Sequence, residues 1–208
     1  MSLEGCRVAT TSGTRLARHL EGYDSPLDKE THKRYRSLVG KLAWASPIRP
    51  DLAYAIKELA RGLASPTEED WANLKHVVRY LKGSLGHRFT VSPKTKVTLG
   101  TTLGLEAFAD SDWAGCSKTR KSTSGGILRV LGTPVHFFSR TQSVLALSSA
   151  EAELYAIGST LAELLHVRNL LEDLHMLKVS LTLYTDSTSA KSLSARFGTS
   201  RKTRHVQL

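Results

Sequence analysis

Three carboxylates in the second half of the chain occupy places from which side chains of sheet-and-helix proteins do chemistry. Asp110 follows the apolar segment 105–109, Asp186 follows the segment 181–185, and Glu153 lies in the first turns of a long helical pattern. The ends of strands and the loops beside them are usual positions for site residues. Each acid taken alone also fits a simpler interpretation, in which it is solvated or caps a helix.

Convergence of these three acids would call for a divalent cation, because negative charges near one point repel each other and a bound cation relieves that repulsion. Hard oxygen ligands suit Mg²⁺, with Mn²⁺ as the alternative ion. Two such ions about 3.5–4 Å apart can activate water and stabilise the leaving oxygen of a phosphodiester. The sequence therefore predicts a metal site built from Asp110, Glu153 and Asp186.

Glu153 and its neighbour Glu151 have different expected environments. Ser148 and Glu151 fit the S-x-x-E capping box, which gives Glu151 a structural role at the start of the helix. At about 100° per residue, Glu153 falls roughly 50° from the centre of the apolar stripe, and Glu151 falls roughly 110° away, toward solvent. A carboxylate beside a buried stripe is costly unless it is paired, which favours Glu153 as the metal ligand. The stripe consists of Leu154, Ile157, Leu161, Leu164 and Leu171.

Asp110 and Asp112 are harder to separate, because an extended strand places both side chains on one face, roughly 7 Å apart. Asp110 directly follows the apolar run, so its backbone should be held more rigidly. We therefore favour Asp110 as the ligand. Asp112 is then either an outer partner of the site or a solvated side chain.

The pattern around these acids predicts an α/β domain in which helices pack on a mixed sheet. A long helix is expected over 148–175 and a short one over 187–197. Two of the strands should form a hairpin that turns at 132–134. Strands are expected within 87–104 and at 105–109, 127–131, 135–138 and 181–185.

The first half of the chain has helical periodicity and predicts a small bundle. Residues 1–30 lack a clean period and are interpreted as a tail or linker. Helices are expected over 31–46, from Pro50 onward, and from a third start where Ser65 is the cap and Glu68 closes a capping box. The expected organisation is a tail at 1–30, a helical segment at 31–104 and the α/β domain at 105–208.

Composition indicates which kind of partner and which compartment suit the chain. The 208 residues carry a formal net charge of +10, with a pI near 9.8, which favours polyanions such as nucleic acid. Two cysteines fit a reducing, intracellular compartment, and no apolar run reaches the about 20 residues of a membrane helix or has the form of a secretory leader. Walker and G-x-S-x-G motifs are absent. The candidate nucleic-acid contacts are Lys118, Arg120, Lys121 and Ser187. The basic loop at 118–121 either contacts phosphates or is only solvated, and the adjacent hydroxyls of residues 122–124 would add donors to a nucleic-acid backbone.

The α/β part contains four motifs, in the order ADSDWAG, KSTSGG, SSAEAELYA and YTDSTSA. They resemble the ribonuclease H domain of copia-type LTR retrotransposon polyproteins. The upstream stretch 35–83 resembles the segment that closes the reverse transcriptase in the same polyproteins, which makes it thumb- or connection-like. The resemblance covers about residues 33–208. It implies a ribonuclease H-like mixed sheet with packed helices.

The resemblance also implies an activity. Asp110, Glu153 and Asp186 would form the catalytic set, hold two Mg²⁺ ions and cut the RNA strand of RNA–DNA hybrids during reverse transcription. Water attacks the phosphorus and leaves a 5′-phosphate and a 3′-hydroxyl, and the 2′-hydroxyl distinguishes RNA from DNA. The implied partners are the hybrid and the reverse transcriptase portion of the same polyprotein. The implied location is a cytoplasmic virus-like particle or the nucleus.

Two family features have no counterpart in this sequence. The family's fourth carboxylate, an Asp on a helix after one more strand, is not matched before Leu208, and no Tyr-x-Asp-Asp of the polymerase occurs. We therefore expect no polymerase activity, and weakened nuclease activity for this chain in isolation. The alternative function is a catalytically inactive remnant that binds nucleic acid. The basic stretch near the C-terminus fits either phosphate contact or a solvated tail, and contains Arg196, Arg201, Lys202, Arg204 and His205.

Overall fold

The computed structural model describes residues 5–13, 24–92, 102–116, 119–174 and 178–195. The chain divides into two compact units, Met1–Thr90 and Val91–Leu208. The first unit is helical and the second is α/β. Each has its own hydrophobic core.

The described residues of the helical unit form three α-helices, and the sequence pattern predicted all three. They are α1 (Lys29–Ala45), α2 (Ala53–Arg61) and α3 (Glu68–Gly83), with 3₁₀ turns at Ser46–Ile48 and Pro50–Leu52 between the first two. Asp28 caps α1 by accepting hydrogen bonds from the N–H groups of Glu30 and Thr31. Helix α1 therefore begins two residues before the predicted start at residue 31, because Lys29 already belongs to it.

Helix α3 begins later than its sequence suggested. The observed capping box joins Thr67 and Asp70, not Ser65 and Glu68. The cause is a backbone pairing with residues that come much earlier in the chain. The N–H of Leu27 donates to the Pro66 carbonyl at 3.0 Å, and the N–H of Glu68 donates to the Ser25 carbonyl at 3.0 Å. This short antiparallel pairing keeps the backbone extended through Thr67, so the helix can begin only after it.

The core of the helical unit lies where the three helices meet. The fully buried Tyr35 of α1 donates its hydroxyl to the Leu59 carbonyl of α2 at 2.6 Å, which satisfies the polar end of a buried ring. Trp44, near the end of α1, lies outside this core, with 85% of its surface exposed. The other buried hydrophobic residues are Val39, Leu42, Leu52, Ala55, Ile56, Leu74, Val77 and Tyr80.

In the described part of the α/β unit, four strands form a mixed sheet with helices packed on it, and the mixed sheet with packed helices was predicted. In chain order it contains β1 (Thr102–Asp112), β2 (Thr123–Val130), β3 (Thr133–Thr141), α4 (Ser149–Asp173), β4 (Lys178–Tyr184) and α5 (Thr188–Ser194). The strand order is β3-β2-β1-β4. Strands β1, β2 and β3 pair antiparallel, and β4 pairs parallel to β1. The long helix α4 connects β3, at one edge of the sheet, with β4 at the other edge; the two strands run in the same direction, so the chain must cross the sheet between them.

Strand boundaries differ from the sequence prediction at both ends of β1. The strand runs three residues earlier and three residues later than 105–109. The described residues 87–92 form no strand, so this part of the prediction for 87–104 is wrong, and residues 93–101 lie outside the described ranges. The β2–β3 hairpin turns at Leu131 and Gly132, both of which have positive φ. Two such residues form the tight turn that matches strand twist.

Helix α4 lies on one face of the sheet, against β1 and β2. The leucine stripe predicted as its buried face is only partly correct, because Leu161 is exposed while Leu164 is buried. The buried line runs through Ala152, Ala156 and Thr160. Small side chains allow the helix axis to approach the sheet closely. None of the helices within the described ranges combines the length and the apolar character needed to cross a bilayer.

Candidate metal-binding site

Asp110, Glu153 and Asp186 come together at one edge of the sheet. Each offers a carboxylate oxygen, and these atoms all lie within 4.8 Å of one another. The pairing register of β1 with β4 explains part of this convergence. Phe108 of β1 pairs with Tyr184 of the parallel strand β4, and the two aspartates each follow two residues later. The carboxyl ends of neighbouring parallel strands therefore deliver both acids to the same level.

Glu153 reaches this edge from the other direction, because it lies near the N-terminal end of α4. Asp110 and Asp186 are exposed, whereas Glu153 is half-buried. The Oε1 atom of Glu153 accepts hydrogen bonds from the Ser111 hydroxyl at 2.6 Å and from the Ser111 N–H at 3.2 Å. Its Oε2 atom is buried and has no hydrogen-bond partner within the described part of the chain. An unsatisfied buried carboxylate oxygen next to two further carboxylates fits a cation ligand.

Electrostatics agree with this geometry. Burial raises the pKa of Glu153 above its ordinary value of 4.5, the hydrogen bond from Ser111 acts in the opposite direction, and the negative charges of Asp110 and Asp186 raise it further. Desolvation and like charges both penalise the ionised form. A divalent cation at this point would remove that penalty, because it pairs with all three charges.

Glu151 is not where its sequence position suggested. It was expected to point toward solvent, but only 6% of its surface is exposed. The predicted cap is confirmed in one half, since the Ser148 hydroxyl accepts from the Glu151 N–H. The Glu151 carboxylate accepts from the N–H of Leu147, at 2.8 Å, one residue before the cap. Glu151 is thus a buried structural acid that holds the β3–α4 loop against the start of α4.

Asp112 lies outside the carboxylate cluster formed by the described residues. Its carboxyl group packs so closely on Gly115 that a Cβ at that position would overlap it. The loop turns sharply here, with Ala114 at a φ of 51°. The last residue of β1 therefore faces its own loop, while Asp110 faces the other two acids.

The residues predicted to contact nucleic acid have different local environments, and their role stays a prediction. Lys118 lies outside the described residues. Arg120 is exposed and has a φ of 55°, and Lys121 donates to the Ser143 carbonyl at 2.7 Å. Ser187 caps α5 by accepting from the N–H of Ala190. The basic C-terminal residues 196, 201, 202, 204 and 205 also lie outside the described ranges.

Three hydroxyl residues beside the basic loop were expected to offer donors to a nucleic-acid backbone. This expectation is wrong for Ser122, Thr123 and Ser124, all of which are buried. Ser122 instead accepts from the Ala114 N–H, at 3.0 Å. Ser124 accepts from the side-chain amide of Gln142, also at 3.0 Å. These hydroxyls hold the loop and the sheet together.

Sequence reasoning missed two polar residues next to the site, Ser111 and Gln142. Gln142 is 7% exposed, and its amide nitrogen also donates to the Ala152 carbonyl at 2.9 Å. The signal for Ser111 was available, because residues of β1 alternate between faces and Ser111 continues the alternating series of residues 105, 107 and 109. Gln142 gave no comparable signal, since its partners belong to distant elements.

The fold and the cluster together define an α/β domain with a three-carboxylate candidate cation site, preceded by a helical unit. The chain belongs to the copia-type, retrovirus-related Pol polyproteins, with relatives 31–34% identical over 84% of its length.

Among these relatives is the Pol polyprotein from transposon RE2 of Arabidopsis thaliana, which is 34% identical over 175 residues. Another is the Pol polyprotein from transposon TNT 1-94 of Nicotiana tabacum, at 31% identity over 175 residues. The chain spans 12% and 13% of the lengths of these polyproteins. An uncharacterized mitochondrial protein of Arabidopsis thaliana is 36% identical over 130 residues, or 62% of this chain and 52% of that protein. No protein-family model matches the chain, and no solved structure matches it significantly.

Proposed function

We propose that the α/β unit is a ribonuclease H-type endonuclease that cuts the RNA strand of RNA–DNA hybrids. The observation that carries this proposal is the meeting of Asp110, Glu153 and Asp186, whose carboxylate oxygens lie within 4.8 Å of one another. The strand order β3-β2-β1-β4 and the covering helix α4 are compatible with a ribonuclease H-like fold. Membership of the Pol polyprotein family supplies the biological setting.

The three carboxylates would hold the metal ions of the reaction, two Mg²⁺ or Mn²⁺. When bound, such ions lower the pKa of water and neutralise charge on the phosphodiester. Within the described ranges no ion pair joins a Lys or Arg side chain to this cluster, so the negative charge of the three carboxylates would remain available to the ions. In the proposed reaction water adds to phosphorus, the bond from phosphorus to the 3′-oxygen breaks, and the products carry a 5′-phosphate and a 3′-hydroxyl.

Binding of the hybrid rests on charge and on exposed donors. The net charge of +10 favours a phosphate backbone. Arg120 is the described member of the basic loop with an exposed side chain, and it follows the same strand that carries Asp110. Selection of the RNA strand would use its 2′-hydroxyl groups. We assign the helical unit, by the same family relationship, to a thumb- or connection-like segment that accompanies the nuclease in the polyprotein, within a virus-like particle or the nucleus.

The test is cleavage of a labelled RNA–DNA hybrid by the 208-residue chain with Mg²⁺. We expect Asp110→Asn and Glu153→Gln each to lower the cleavage rate at least about a hundredfold, since even changes in outer partners of a metal ligand reach that size. Asp173→Asn, at the far end of α4, removes the same charge away from the site and should cleave like the wild type. Cleavage that is unchanged in Glu153→Gln would refute the assignment.

A second candidate function is a nucleic-acid-binding module without catalysis. The observation that favours it is the strong positive charge, which needs no metal to act. In this case the chain would bind the hybrid equally well with Mg²⁺ and with a chelator, and neither the RNA strand nor the DNA strand would be cut. Measuring binding and cleavage on the same samples therefore separates the two candidates.

A further inference from the structure

We propose that Ser111 is a positioning residue that sets the orientation of the Glu153 carboxylate and so determines which oxygen remains for the cation. This inference rests on the proposed metal site. Two donors of Ser111 converge on one atom, with the hydroxyl at 2.6 Å and the N–H at 3.2 Å from Oε1 of Glu153. Oε1 is thereby occupied, while Oε2 has no hydrogen-bond partner within the described chain.

The alternation of β1 explains why a serine stands between two aspartates. Residues 103, 105, 107 and 109 are buried on the face that α4 covers, and residue 111 continues this series. Asp110 lies between two residues of this series, and its carboxylate lies within 4.8 Å of the Glu153 carboxylate at the edge of the sheet. Ser111 is therefore the residue of this segment that meets the helix. Its neighbours are left to face the site edge and the following loop.

The chemical type of the donor matters. A serine hydroxyl is neutral, so it holds Oε1 without neutralising the carboxylate. An Arg or Lys in the same place would pair with Glu153 and compete with a metal cation for its charge. A neutral donor thus fixes the geometry and leaves the full negative charge available. This combination is what a ligand for a hard cation requires.

Hydrogen bonds connect the elements that surround Ser111. In the β1–β2 ladder Ser111 stands opposite Ser124, whose hydroxyl accepts from the Gln142 amide. The same amide nitrogen donates to the Ala152 carbonyl, in the turn that carries Glu153. The backbone of that turn is therefore tied to β2 and β3, while Ser111 fixes the side chain. Loss of the hydroxyl would leave Glu153 with the longer N–H contact alone and allow its carboxylate to rotate.

The experiment is a titration of the full chain with Mn²⁺ alone, in which free Mn²⁺ is counted by electron paramagnetic resonance. Ser111→Ala should weaken Mn²⁺ binding about tenfold, the lower end of the range for partners of metal ligands. Ser111→Thr keeps the hydroxyl and should stay within about threefold of the wild type. Ser180→Ala is the matched control, because its hydroxyl contacts the Leu103 carbonyl in the same sheet, and it should bind Mn²⁺ normally. Circular dichroism checks that each variant folds.

Wild-type affinity in a folded Ser111→Ala variant would overturn the proposal, as would equal losses in Ser111→Ala and Ser111→Thr. If Ser111→Ala does not fold, the near-isosteric Ser111→Cys, whose thiol is a weaker donor, replaces it under the same criteria. Mn²⁺ binding that survives in Glu153→Gln would also overturn it. Hybrid cleavage is measured separately. A wild type that binds Mn²⁺ through Glu153 but cuts nothing refutes the nuclease and leaves the role of Ser111 standing.

Discussion

Glu153 is an acid whose surroundings oppose its ionisation. Burial is the largest cause of its raised pKa, and the charges of Asp110 and Asp186 add to it, while Ser111 acts in the other direction. A protein gains no stability from such an arrangement when metal is absent. The free-energy cost of ionising Glu153 is consistent with a residue kept for binding, since carboxyl groups with perturbed pKa values cluster at functional sites.

This cost leads to a pH-dependent prediction for the metal-free protein. Because the pKa of Glu153 is higher in the folded chain than in the unfolded chain, its contribution to stability is fully present below the ordinary value of 4.5 and is lost as pH rises through the folded value. Glu153→Gln stays neutral, so it should raise the melting temperature at pH 7.5 and make no difference near pH 4. Scanning calorimetry with a chelator measures this. Added Mg²⁺ should then stabilise the wild type but not the variant.

In the helical unit, the pKa of Asp51 is shifted in the opposite direction, below its ordinary value. Its carboxylate accepts two hydrogen bonds from the Arg49 guanidinium, at 2.9 and 2.7 Å, and one from the Tyr80 hydroxyl at 2.8 Å. The Arg49 hydrogen bonds are the main reason that the pKa of Asp51 lies below its usual value. These contacts connect the 3₁₀ turn before α2 with α3.

We expect Asp51→Asn to lower the free energy of unfolding by about 1–2 kcal/mol at pH 7, because it removes a charge-assisted pair and leaves the Arg49 cation without its partner. The pKa of Asp51 is lowered on folding, so its contribution is present above the unfolded value of about 3.8 and is lost as pH falls. Urea unfolding at pH 7 and pH 3 measures both. Glu30→Gln, in an exposed ion pair with Arg34, should change little at either pH. A pH-independent loss would contradict this account.

At the scale of the elements, the packing of α4 on the sheet depends on a glycine. A Cβ at Gly126 of β2 would overlap the Phe138 ring and lie 2.9 Å from the Thr160 hydroxyl of α4. At Gly125, one residue earlier, the nearest atoms are 3.9 Å away. Both glycines lie inside β2. The structure shows that Gly126 makes room for the helix and a neighbouring ring.

This asymmetry predicts a clear difference between two single-methyl changes. Gly126→Ala should lower the free energy of unfolding by about 1–3 kcal/mol, because the added carbon overpacks the contact between sheet and helix. Gly125→Ala adds the same atom where space is open, and should cost little or stabilise slightly through the unfolded chain. Chemical denaturation of both variants measures the difference. Equal effects would show that α4 does not rest on Gly126.

At the scale of the whole molecule, the two units have separate cores but share an excess of positive charge. The core of the α/β unit is small, with Leu105, Ala107, Leu128 and Leu164 buried together. The face of the sheet opposite α4 leaves Phe108, Ile127 and Tyr184 exposed, with the Phe108 and Tyr184 rings stacked at 4.9 Å. The excess of positive charge is therefore a more distinctive feature of this chain than its small apolar core in the α/β unit.

The charge of +10 predicts binding that weakens steeply with salt. If two phosphates are neutralised on binding, the affinity for an RNA–DNA hybrid should fall about tenfold between 50 and 200 mM salt, and more steeply with each further contact. Fluorescence anisotropy with a labelled hybrid measures the slope. A duplex of the same bases with an uncharged backbone is the control and should bind weakly at every salt concentration. Affinity that does not depend on salt would exclude a phosphate-directed interaction.

Much of the architecture could be predicted because the pattern of each element is local. The three helices of the first unit, the hairpin, the long helix α4 and the strand that precedes Asp186 all follow from periodicity and turn residues. The three acids could be singled out because each directly follows or opens such an element. Boundaries were less accurate, and the start of α3 moved because residues 25–27 pair with residues 66–68.

The amino-acid sequence by itself determined the types of element, the acids at their ends and the membership of the Pol polyprotein family. Only the tertiary structure decided that Glu151 is buried, that Ser111 holds Glu153, and that the buried face of α4 combines small residues with only part of the leucine stripe. The physical reason is that periodicity fixes which residues share a face of one element. The approach of two elements, which sets burial and hydrogen bonds, depends on side chains that are far apart in the chain.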